Sequence, residues 1–182
     1  MCIFFVSRPT SKYYLNRTAM KFKFESKIYY DFQTFEATLR KWKSDNETIV
    51  FTNGCFDILH YGHLDSLLKS AHLGTKLIVG LNSDKSVEIL KGKNRPVFDV
   101  KSRASMIAAF VFVDAVIVFE EETPADLIAQ IIPDVLVKGK QYEIHQIAGH
   151  DTVLKNGGKV ITLDLVPNVS SSEIVEKIKS LD

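Results

Sequence analysis

His60 and His63 stand three residues apart in TNGCFDILHYGH, bracketing Tyr61-Gly62 where a helix-like stretch begins. At a helix N-terminus two imidazoles sit beside free N–H donors and the positive end of the dipole, a ready place for phosphate. There they can donate hydrogen bonds to phosphate oxygens as charge builds in a transition state. Just upstream, Asn53-Gly54 closes an apolar run, and Gly54 lets the main chain approach a ligand with its N–H groups exposed. Three other readings fit the same residues. Spacing of three suits a zinc pair, although no third Cys, His or carboxylate has matching spacing. Cys55 with a histidine is a possible nucleophile pair, but a Cys beside a buried strand is more often a small core residue. The two histidines also suit helix caps with no function.

Further cations and hydroxyls gather at corresponding places. The loop LKGKNRPVFD brings together Lys91, Lys93 and Arg95. Solvated loop charge accounts for Lys93, whereas Lys91 and Arg95 are read as cations that close over a polyphosphate and neutralise it. In VKGKQY, Lys138 stands at the end of another apolar run and Gly139 permits close approach. Asn82-Ser83-Asp84 reads as a helix cap. Ser170 and Glu173 form a capping-box pattern, yet Ser170, Ser171 and Ser172 supply more hydroxyls than a cap needs. A second phosphate-facing helix start is expected there. The whole set predicts one rim, with two helix N-termini, two histidines and several cations, around a group with several phosphates.

The elements that must carry this rim follow from the apolar runs TIVFT, KLIVGL, AVIVF, DVLVK and KVITLDL. They are apolar on both faces, so they read as strands buried between two helical layers, in a parallel sheet. Helices are expected over His63 to Ala71, Ser83 to Leu90, Arg103 to Phe112, Pro124 to Ile131 and Ile144 to Lys155. Thr123-Pro124 reads as a cap and first-turn pair, and Gly157-Gly158 as a terminator. The expectation is one doubly wound α/β domain with a five-stranded parallel sheet, over residues 28–182. Its ligand should lie beyond the carboxyl ends of the strands, where the residues above fall. Residues 1–27 read as an extension or arm, with Met20 as an alternative start. An amphipathic helix follows it, with Phe32, Phe35, Leu39 and Trp42 on one stripe.

Composition excludes several classes. The chain has 182 residues and is 46% hydrophobic, enough to bury a core and to rule out disorder over most of its length. Lys plus Arg number 23 against 22 for Asp plus Glu, a net charge of +1, so nucleic-acid or anionic-membrane binding is not expected as its main role. The apolar stretch from Met106 to Val113 stops at Asp114, far short of the roughly 20 residues that span a bilayer. The start, MCIFFVSRPT, makes a poor secretory signal, and two cysteines suggest no disulfide framework. A cytoplasmic location is expected.

At GCFDILHYGH the chain resembles the nucleotidyltransferase superfamily that carries an HxGH signature, with Gly54, Phe56, Asp57, His60, Gly62 and His63 in the matching places. The resemblance continues through LIVGLNSD, the LKG loop, RPV, DVLVKG, IAG at 147–149, Gly157-Gly158 and the serine-rich helix start, covering about residues 48–180. Within that superfamily it looks most like the adenylyltransferase domain that makes ADP-heptose from heptose 1-phosphate, in a stand-alone form. The glycerol-3-phosphate cytidylyltransferase group, which uses CTP, is the nearest rival. It carries an Arg where this chain has Leu165 and an apolar residue where this chain has Lys138. A non-catalytic nucleotide-binding module is the other alternative. Two positions depart from the heptose pattern: Gln141 replaces a carboxylate, and Ser171 and Ser172 stand in place of threonines.

The resemblance implies a Rossmann-like nucleotidyltransferase fold, ATP and Mg²⁺, a sugar phosphate as second substrate, pyrophosphate as product and a homodimer. It implies catalytic roles for His60, His63 and Lys91. Nucleotide binding would fall to Asn53, Gly54, Cys55, Phe56, Lys138, Gly139 and Ser170 to Ser172, and substrate binding to Asp57, Lys91 and Arg95.

Overall fold

The computed structural model describes residues 23–167 and 169–181. It contains a parallel sheet of six strands: β1 (Ile28–Tyr29), β2 (Ile49–Gly54), β3 (Lys76–Asn82), β4 (Ala115–Phe119), β5 (Val135–Gly139) and β6 (Lys159–Leu163). Their order across the sheet is β1-β4-β3-β2-β5-β6. The chain begins its winding at β2, moves outward through β3 and β4, then returns to the other side of β2 for β5 and β6. The order therefore reverses between β2 and β5, and a ligand crevice is expected at the carboxyl ends of that pair.

Each strand splits its side chains between two cores, as the two-residue period of a strand requires. Phe51, Ile78, Ile117 and Leu136 face one layer, with Phe35 and Leu39 of α1 (Phe32–Ser44), Leu127, Ile128 and Ile131 of α5 (Ala125–Ile131), and Val153 of α6 (His150–Lys155). Val50, Val79, Val116 and Val137 face the other, with Leu67 of α2 (Tyr61–Ala71) and Ala104 and Ile107 of α4 (Val100–Ala108). Burying each such side chain contributes roughly 1.5–3 kcal/mol. The remaining helices are α3 (Asp84–Lys91) and α7 (Ser171–Lys179).

The five expected runs are all strands, and the doubly wound parallel arrangement is as expected. The sixth strand is a correction. Ile28 and Tyr29 pair with Val116 and Ile117 on the outer side of β4, and two residues are too few to show any period. Residues 1–22 of the expected arm lie outside the described residues, with Met20 among them. The end of that arm packs on the domain: Phe24, in a 3-10 turn over Phe24–Lys27, lies against the core, and Lys27 Nζ donates to the carbonyls of Phe110 and Val113.

Three helix expectations also change. The stretch from Ile144 to Lys155 is a 3-10 turn (Ile144–Gln146) followed by α6, because Gly149 between them takes φ +78°. A Cβ on Gly149 would stand 2.8 Å from Ile128. The helix expected from Arg103 starts earlier, where the Asp99 side chain accepts from Ser102 N, and it ends at Ala108. Pro124, not Thr123, takes the cap position of α5, with no side-chain cap.

Candidate active site

Beyond the carboxyl ends of β2 and β5 lies a cavity of about 660 Å³. Its walls include Asn53, Gly54, Cys55 and Phe56 after β2, Lys138 and Gly139 after β5, His60 and His63 from α2, Lys91 from α3, and Ser170, Ser171 and Ser172 from α7. Residues more than 100 positions apart in the chain thus meet on one rim, as expected. Asp57, Lys93 and Arg95 do not line it.

The histidine pair is built by the helix start itself. His60 caps α2 in extended conformation, and its Nδ1 accepts from Gly62 N at 3.1 Å. His63, one turn on, turns its Nδ1 back to accept from His60 N at 3.4 Å. With both Nδ1 atoms facing backbone N–H donors, each neutral ring carries its proton on Nε2, the nitrogen left for a ligand. The rings stack with centroids 3.8 Å apart. Gly62 makes room for the stack, since a Cβ there would stand 3.0 Å from the His60 ring. Burial lowers the His60 pKa, helped by the Lys91 charge. Burial also pushes His63 down to about 4, with further lowering from His60 and Lys91. At neutral pH the pair is two uncharged donors. The helix-cap reading is thus correct as geometry, but the capping consumes Nδ1 and leaves Nε2 for chemistry.

Lys138 crosses the point of strand reversal. Its Nζ donates to Asn53 Oδ1 at 2.8 Å and to the Asn53 carbonyl at 3.1 Å, which fixes the end of β2 against the end of β5. Burial pushes its pKa down to about 8. An ammonium has three protons, so one remains for an anion. On the opposite wall Ser170 caps α7, its Oγ accepting from Glu173 N, which leaves its own proton to donate. Burial pushes the Cys55 thiol up, against the pull of Lys91, Arg103 and Lys138. That disfavours the thiolate a nucleophile pair would need. Among the described residues no group of three His, Cys, Asp or Glu stands together to hold a metal ion.

Three expected ligands have other work. Asp57 is fully buried, and its carboxylate accepts from Arg95 Nε at 2.6 Å and from the backbone N–H groups of Val97 and Phe98. Burial alone would raise this carboxyl, but those two N–H groups and Arg95 outweigh it and hold it below the ordinary carboxylate range. It has no free acceptor position for sugar hydroxyls, and Arg95 is bound to it through Nε, while Arg95 Nη2 is buried with no hydrogen-bond partner among the described residues. Ser171 lines the cavity but is buried, and its hydroxyl donates to the Asp57 carbonyl oxygen. Spacing could not reveal these pairings, because the partners lie 38 and 114 residues apart.

Arg103, which no motif in the sequence singles out, also lies at the site. Although fully buried, it donates from Nη1 to the carbonyls of Cys55 and Asn82, from Nε to that of Phe98, and from Nη2 to Asp84. It ties the ends of β2 and β3 to the start of α3 beneath the cavity. The available signal was its place four residues before Ile107, on the apolar face of α4.

Residues 51–177 match the family described as cytidylyltransferase-like. The chain belongs to the cytidylyltransferase-like family. Among curated relatives, this cytidylyltransferase-like chain is similar to the bifunctional protein HldE of Methylobacillus flagellatus, at 48% identity over 79% of the chain and 30% of that protein. It is likewise similar to HldE of Campylobacter jejuni, at 49% identity over 86% of the chain and 32% of that protein. The chain thus spans under a third of the length of these relatives. Among solved structures, the lipopolysaccharide core biosynthesis protein from Thermoplasma volcanium is similar at 29% identity with a TM-score of 0.54, over 66% of this chain and 97% of that one. Pantoate-beta-alanine ligase from Francisella tularensis shares the fold, with a TM-score of 0.53 at 14% identity, over 84% of this chain and 77% of that one.

Proposed function

We propose that this chain is an adenylyltransferase that joins the AMP moiety of ATP to a sugar 1-phosphate. The substrate its motifs favour is heptose 1-phosphate, which gives ADP-heptose and pyrophosphate. The observation that carries the reading is the stacked histidine pair, whose unspent Nε2 protons line a cavity between two helix N-termini.

An oxygen of the sugar's 1-phosphate attacks the α-phosphorus of ATP in line, and the bond from that phosphorus to the β-phosphate bridge oxygen breaks. The attacking group is already an anion, so no general base is required, and catalysis rests on alignment and charge stabilisation. His60 and His63 donate to the oxygens on which charge grows. As neutral donors they add no full positive charge that would hold the ground state equally well. Backbone N–H groups of Gly54 to Phe56 and the hydroxyls of Ser170 and Ser172 hold the triphosphate, and Lys91 and Lys138 neutralise it. Mg²⁺ arrives as part of the ATP substrate. Glu122 is the carboxylate among the described lining residues, and Mg²⁺ on nucleotide phosphates needs no more than one or two protein carboxylates.

Leu165 and Lys138, the two positions that separate the heptose pattern from the glycerol-3-phosphate pattern, both line the cavity. This supports ATP over CTP. The reading extends to a homodimer acting in the cytoplasm; no helix among the described residues is long and apolar enough to cross a membrane.

The test is a pyrophosphate-release screen that crosses ATP and CTP with heptose 1-phosphate and glycerol 3-phosphate. Release is expected with ATP and heptose 1-phosphate. Binding of ATP without release from any pair would leave only a nucleotide-binding module.

A further inference from the structure

Asp57 does not line the 660 Å³ cavity, yet three elements that do line it meet on this one residue. Its carboxylate holds Arg95, Val97 and Phe98, the far end of the loop that begins at Lys91. Its carbonyl accepts from Ser171, the first residue of α7. Its own segment runs directly into the His60 cap. Backbone geometry also singles it out: Phe56 at φ +47° and Ile58 at φ +53°, on either side, are both left-handed, a conformation that bulky side chains rarely adopt. Such outliers persist where the surroundings over-determine them. Here the anchored Asp57 supplies that constraint, and the turn it forces brings the Phe56 ring within 5.2 Å of His63.

We infer that Asp57 is a positioning residue, which sets the Lys91 loop and the serine-bearing start of α7 in register with the histidine pair. It acts through its neighbours and meets no substrate. The Arg95 ion pair is the latch of this joint, with the carboxylate fully buried and the Arg95 side chain 12% exposed. Asp57→Asn keeps the shape and an acceptor for the N–H groups but discharges the latch. Arg95→Gln releases it from the other side, leaving the Asp57 bonds to Val97 and Phe98 intact.

The first test reads the loop without reference to catalysis. Limited trypsin digestion of the full chain, followed by mass, should show cleavage after Lys91 and Lys93 at least about tenfold faster in both variants, because cleavage follows the population of the opened loop. The second test rests on the adenylyl-transfer reading and uses a double-mutant cycle. Each variant should lower kcat/KM about tenfold or more, and the loss should shrink to under about threefold when Lys91 is already alanine. A residue that merely supports the fold would lower thermal stability and multiply with Lys91→Ala. Unchanged cleavage, or losses that multiply, would overturn the inference. Should Asp57→Asn fail to fold, Arg95→Gln decides by the same readings. Should the native chain transfer no adenylyl group, the function proposed above fails while the trypsin rates still judge the joint.

Discussion

At the carboxyl ends of β2 and β5 the sheet opens on the 660 Å³ cavity, and at the amino ends of the same strands on a hollow of about 450 Å³. The amino-end hollow is lined by Lys43, Asn46, Glu47, Ile132, Asp134 and Asn156, where α1, α5 and α6 finish. Both are concave, both are lined in part by polar side chains, and each has at least one lysine. They differ in what the backbone presents. Helices that run antiparallel to parallel strands put their N–H ends at one edge of the sheet and their carbonyl ends at the other, so one edge attracts anions and the other repels them. The amino-end carboxylate of Asp134 is also engaged, accepting from Ile49 N at 2.7 Å. Concavity is common to the two ends; the donor set is what would suit one of them to phosphates.

The contrast is most severely tested at His63. Removing one well-placed donor to such a transition state costs on the order of 3 kcal/mol, so His63→Ala should cut turnover about a hundredfold or more while the chain stays folded. A near-normal kcat would remove the carboxyl edge's claim to chemistry. Next in size is Gly62→Ala, whose new methyl would crowd the His60 ring at 3.0 Å. Displacement of a catalytic group by a fraction of an ångström should lower kcat about tenfold, and retention of full activity would show that the stack is incidental.

Two pH measurements sharpen the picture. With Lys138 pushed down to about 8, its ammonium is lost as pH rises through that value, and activity should fall by up to about tenfold per pH unit above it. Lys138→Arg, whose guanidinium stays charged past pH 12, should extend the plateau if it is active at all. His63 works in the other direction. Its folded pKa of about 4 lies below the usual imidazole value, so the unfolded chain binds the extra proton between about pH 4 and 6.5. Its contribution to stability is therefore complete above about pH 6.5 and declines as pH falls towards 4. A urea-denaturation series over that range should show a shallower decline in His63→Ala. The smallest effect belongs to the amino-end hollow, where Lys43→Ala should leave kcat/KM within about twofold, as befits a surface change.

The strands are legible because each apolar run must satisfy two cores, and the strand-end rule then points to His60, His63 and Lys138, which line the cavity. What stayed hidden were polar side chains whose partners are backbone groups. A carboxylate such as Asp57 looks the same in a sequence whether it awaits a sugar hydroxyl or accepts from Val97 and Phe98. Ser171 and Ser172 are adjacent and chemically identical, yet one hydroxyl is committed to a carbonyl 114 residues away. β1 is invisible in the sequence because two residues establish no period. Gly149 is plain in the sequence, but without its φ nothing signals that it divides a helix.

Arg103 has a consequence for the encounter with nucleotide. Its guanidinium clasps carbonyls at the ends of two strands, so the floor of the cavity is set before any ligand arrives. The disorder that floor might have kept was surrendered during folding. A triphosphate bound there would have less freedom left to extinguish, and its affinity would be correspondingly greater.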